Sequence, residues 1–83
     1  MNNVIVRTIA VVGPHFSTTS GGSLAFTFED VMFAKHVVDD GGEILPGLVA
    51  VVFKSGSGFI VRDTFNEFVE AWKLDDNYST EPA

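Results

Sequence analysis

The chain has no cysteine among its 83 residues. That excludes a disulfide framework, a thiolate zinc site, an iron–sulfur cluster and a thiol nucleophile, and it suits a reducing compartment. Basic residues are scarce, with five Lys and Arg against eleven Asp and Glu, so the net charge is −6. A chain of this sign is not a default ligand for nucleic acid or an anionic membrane. Long apolar runs are missing as well. The stretch from Val4 to Val12 is interrupted by Arg7 and Thr8 and ends at Gly13-Pro14, short of the ~20 residues a spanning helix needs. It also lacks the form of a secretory leader, so the expected location is cytoplasmic.

What is present is apolar and aromatic. The composition is 46% hydrophobic and 19% charged, with eight Phe, and the mean hydropathy is +0.26. Such a chain folds, and its length allows one core. One domain is expected over residues 1–74, followed by a flexible acidic tail over 75–83, where apolar periodicity stops.

Val4, Ile5, Val6, Ile9, Val11 and Val12 favour a first strand buried on most of both faces. Ser17 to Gly22 is rich in small residues and reads as a loop. Leu24, Phe26 and Phe28 alternate with Ala25, Thr27 and Glu29, a period of two that predicts a second strand. After a turn at Glu29-Asp30, the segment to Val38 reads as a third strand. Asp39-Asp40-Gly41-Gly42 marks a reversal, and Leu48 to Phe53 is the most apolar run, as a central strand requires. Lys54-Ser55-Gly56-Ser57-Gly58 then turns the chain into Phe59-Ile60-Val61-Arg62, making a hairpin.

Thr64 and Glu67 have capping-box spacing, and Phe65, Phe68, Val69 and Trp72 recur as one helical face. Asp75 and Asp76 oppose the helix dipole there and favour a stop. The predicted architecture is α+β, an antiparallel twisted sheet of four or five strands, barrel-like if it curls fully, with one C-terminal amphipathic helix across a face.

Groups suited to catalysis are few. His15 follows a proline in a loop and His36 sits beside Lys35 on a strand, and neither has the spacing of a metal pair. Asp39, Asp40 and Glu43 cluster around two glycines without the alternating ligands of a calcium loop. They read as a solvated acidic turn. Ser55-Gly56-Ser57-Gly58 is followed by a strand, whereas a phosphate loop opens a helix. Arg7, Lys35, Lys54, Arg62 and Lys73 are scattered singly, so no basic patch forms. The expectation is a non-enzymatic protein with no cofactor and no metal.

The apolar content exceeds what a small sheet buries under one helix. The candidate interface residues are Leu48, Val49, Val51, Phe53, Phe59 and Trp72, and a homo-oligomer would use the Leu48–Phe53 strand or an open sheet edge. The candidate acidic surface comprises Asp39, Asp40, Glu43, Glu67 and Glu70.

Three stretches carry a resemblance: Phe28-Glu29-Asp30-Val31, then Val49 to Gly56, then Ile60 to Val69. Their order, over about half of the chain, resembles the short FlbD-like swarming-motility proteins of bacteria and phages. There too an acidic or Asn-containing turn leads to an apolar strand, a glycine hairpin and a capped helix. The Gly13–Gly22 loop and the Asp39–Gly47 insertion depart from that pattern. The resemblance implies a non-enzymatic accessory module and carries over no binding residue.

The leading expectation is a small acidic protein-binding module, of the kind a phage uses to bind and modulate a host protein. Two alternatives stand beside it. One is a self-assembling structural subunit; the other is an inhibitor whose carboxylates mimic nucleic acid.

Overall fold

The computed structural model describes residues 3–80, with side chains described for 3–75. Five strands and one helix follow in order: β1 (Val4–Val12), β2 (Thr18–Thr27), β3 (Val31–Val38), β4 (Ile44–Phe53), β5 (Gly58–Arg62) and α1 (Phe65–Thr80). All pairings are antiparallel, and the sheet order is β2-β1-β5-β4-β3. Sequential neighbours pair everywhere except β2 and β3, and the first and last strands also pair. The topology is thus a ring with one seam left open. The sheet does not close into a barrel, because β2 and β3 are joined through the short turn Phe28–Asp30 rather than by a shared ladder.

The predicted Leu48–Phe53 strand is central, flanked by β5 and β3. Its alternate residues Val49, Val51 and Phe53 face one side and join Phe26, Phe28, Val31, Val61 and Phe68 in the core. Phe68 is fully buried, with its ring 5.3 Å from that of Phe28 and 6.3 Å from that of Phe26. Trp72 stacks on Phe28 at 6.3 Å and 9°. The helix therefore covers the core with its first two turns.

The helix begins where the capping box places it. Thr64 Oγ1 accepts from Glu67 N at 3.1 Å and donates to Glu67 Oε1 at 2.9 Å. Asp63 Oδ1 accepts from Thr64 N at 2.9 Å, so the N–H that Glu67 would take in a reciprocal box is already occupied. The expected tail over 75–83 falls mostly outside the described side chains; the backbone of α1 continues past the Asp75-Asp76 pair to Thr80. No described helix is long and apolar enough to cross a membrane.

Two strand expectations change. The Ser17–Gly22 segment is strand rather than loop from Thr18 onward, because it pairs with the end of β1: Thr18 with Val12, Thr19 with Val11 and Ser20 with Ala10. An extra residue on β2 at Gly21-Gly22 breaks the register opposite Thr8 and Ala10, and Gly22 takes φ +94° there, as a bulge requires. Strand β1 is far less buried than a strand covered on both faces. Val4 and Val6 on one face and Val11 on the other are more than half exposed, Ile5 packs against the core, and Ala10 is the one buried residue of the strand.

The turn joining β1 to β2 is unusual. His15 (φ 57°, ψ 26°) and Phe16 (φ 57°) are both left-handed, and Ser17 N donates to Pro14 O at 3.2 Å. Asn-Gly usually fills such a pair of positions. Here an imidazole and a phenyl ring do.

Candidate functional site

Beside the open seam, between β2 and the β4–β5 hairpin, lies a groove of ≈ 470 Å³ lined by Leu24, Ala25, Phe26, Asp30, Phe53, Lys54, Ser55, Ser57 and Phe59. Three elements build it. Period-two alternation turns Leu24 and Phe26 of β2 to the side where the core lies. Phe53 ends β4 on that same side, and Phe59 lies opposite Val51 across the β4–β5 ladder. The Phe59 ring meets Phe53 edge-on at 6.1 Å and is 38% exposed, which makes it the open floor of the groove.

The rim is polar and fixed. Lys54 N donates to Asp30 O at 2.8 Å, tying the hairpin turn to the β2–β3 junction, and Thr27 Oγ1 donates to Asp30 Oδ2 at 3.0 Å. One wall is the outer edge of β2, whose ten residues contain no charged side chain and no proline. The other sheet edge, β3, carries Lys35 and His36 and breaks register twice against β4. Charges and bulges of that kind keep a sheet edge from pairing with another chain. Strand β2 has a single bulge and no charge.

Leu48, Val49, Val51 and Phe53, expected at an interface, are buried within the fold at 8% exposure or less. Both edges of their strand are paired, so β4 offers no free backbone edge to another chain. Trp72 is half-buried against Phe28 and Phe68. Of the six, Phe53 and Phe59 line the groove, and Phe59 alone of these two is exposed. No local pattern marks Leu24 and Lys54 as sharing a site, since only the sheet order brings them together.

The acidic residues are largely engaged within the chain. Asp39 Oδ1 accepts from Gly41 N and Glu43 N, each at 2.9 Å, and closes the β3–β4 turn. Glu67 caps the helix, and Glu70 lies 3.7 Å from Lys73. Asp40 and Glu43 are exposed. Among the described residues no group of three His, Asp or Glu is placed to hold a metal ion. His36 stacks on Phe65 with ring centroids 4.1 Å apart, and His15 sits on the strained turn. Neither is hydrogen-bonded to a carboxylate among the described residues.

The arrangement can bind an extended chain. An unpaired strand edge supplies backbone donors and acceptors, and an adjoining apolar groove accepts alternate side chains, the two requirements of strand addition. Comparison with family models, with curated proteins and with solved structures returns no match to this chain.

Proposed function

We propose that this chain is a small protein-binding module that works through the groove at its open seam. The observation that carries the proposal is the pairing of two features at one place: the uncharged edge of β2 and the exposed Phe59 ring beside it. A groove of this size falls in the range of ligand sites. Its apolar floor and fixed polar rim favour a side chain presented on an extended backbone. No proton-transfer pair or nucleophile–base pair lines it, so the site recognises rather than transforms.

The reading is tested with immobilised wild-type protein and the Phe59→Lys variant, each exposed to lysate and compared by quantitative mass spectrometry. Proteins retained by the wild type and lost from the variant, at equal folded content by circular dichroism, support the proposal. Identical retention by both overturns it, as does retention by neither from a protein that is also monomeric at every concentration.

A further inference from the structure

The edge of β2 is self-complementary, and we infer that its occupant is the same strand of a second copy of this chain. The inference rests on the protein-binding reading above and names the partner. It starts from charge. Two chains of net charge −6 repel unless they meet through a neutral surface. Of the two edge strands, β2 alone has no ionisable side chain.

The register supplies the second argument. The Gly21-Gly22 bulge limits the regular part of β2 to Ser23–Thr27. An antiparallel pair with its two-fold axis at Ala25 sets Leu24 opposite the partner's Phe26, and Phe26 opposite the partner's Leu24. Both pairs lie on the groove side, where directly opposed aromatic and aliphatic side chains stabilise a sheet. On the opposite face Ser23 meets the partner's Thr27, hydroxyl to hydroxyl, and the two exposed Ala25 residues meet on the axis with no bulk between them. No pair in the register is unfavourable, and the interface is isologous, as a two-fold dimer requires. The partner's Leu24 then lies beside the exposed ring of Phe59, removing an apolar surface from water.

The absence of cysteine makes the test clean. Directly opposed residues in an antiparallel pair have Cα atoms ~4.5–5.5 Å apart, within the ~4.4–6.8 Å a disulfide spans. In the full chain, Ala25→Cys is expected to oxidise in air to a covalent dimer at micromolar concentration, while Asp40→Cys, exposed on a distant turn, stays monomeric. The wild type is expected to show twice its 9.0 kDa chain mass by light scattering, and Ala25→Lys, which sets two ammonium groups on the axis, is expected to return it to one. The urea midpoint of Ala25→Lys measured at dilution checks that the variant folds.

A wild-type dimer that survives Ala25→Lys, or equal cross-linking of the two cysteine variants, overturns the proposed register. A wild-type monomer at every concentration overturns the second copy as occupant. If that monomer still retains another protein through Phe59, the protein-binding reading stands with a different partner; if it retains none, that reading falls too.

Discussion

Arg7 on β1 and Asp63 at the foot of α1 lie 56 residues apart in the chain and meet through Arg7 Nε donating to Asp63 Oδ2 at 2.8 Å. The Asp63 side chain is 11% exposed and that of Arg7 28%, so water screens the pair only in part. Asp63 serves three neighbours at once. Its other oxygen accepts from Thr64 N, and its own N–H donates to Gly47 O at 3.0 Å. One residue thus ties the first strand to the helix start through its side chain and both to β4 through its backbone.

Asp63→Ala is therefore expected to cost about 1.5–3 kcal/mol, the range for hydrogen bonds to a charged group. Urea denaturation reads it as a lower midpoint with an unchanged slope. Asp63→Asn, which keeps one acceptor oxygen, should lose less. Equal midpoints for wild type and Asp63→Ala would show that the ion pair contributes nothing to stability.

Phe68→Ala is expected to be the most damaging of the aromatic truncations, at ~3–5 kcal/mol, because this ring is fully buried among Phe26, Phe28 and Trp72. Phe59→Ala should cost only about 1–2 kcal/mol, as its ring is 38% exposed. Thermal melts of the two variants give the order directly, and a reversed order would contradict the placement of Phe59 at the groove.

His15→Gly should stabilise the protein by about 0.5–1 kcal/mol. His15 is exposed and left-handed at φ 57°, a conformation costing roughly 1–2 kcal/mol for a residue with a Cβ, partly offset by the greater freedom of glycine in the unfolded chain. His15→Ala keeps the Cβ and should show no gain. A gain from alanine equal to that from glycine would locate the effect in the imidazole instead of the backbone.

Thr64→Ala removes the acceptor for Glu67 N and is expected to cost ~1 kcal/mol, while Thr64→Ser keeps it. Far-ultraviolet circular dichroism against urea separates the two. Matching midpoints would mean that packing of Phe65 and Phe68 alone holds the helix start.

The helix start was legible in the sequence because its determinants are local: a hydroxyl, a carboxylate three residues later and an apolar stripe. The central position of Leu48–Phe53 was legible for a similar reason, since only a strand paired on both edges tolerates such a run. The first half of β2 was not. Thr18 to Gly22 resembles a loop by composition and becomes a strand only by pairing with Val12, Val11 and Ala10, a property of the hairpin and not of the segment. The groove was hidden more deeply. Leu24, Asp30, Lys54 and Phe59 meet because β1 pairs with β5 and β2 does not pair with β3, and no periodicity in one stretch encodes that choice. The exposure of Phe59 follows from the same seam.

The pairing of β1 with β5 also sets an order of events for the folding chain. The β1–β2 ribbon and the β3–β4–β5 meander each close over short loops, whereas Ile9 reaches Val61 only after most of the chain has been brought round, an entropic cost that grows with loop length. Docking of the two halves is then expected to limit the refolding rate. Ile9→Ala should slow refolding more than it speeds unfolding in a chevron experiment, and a change confined to the unfolding arm would show that β1 and β5 pair only after the barrier. The last join made is the one that turns two ribbons into a single sheet, so the seam that stays open is set by the one that closes late.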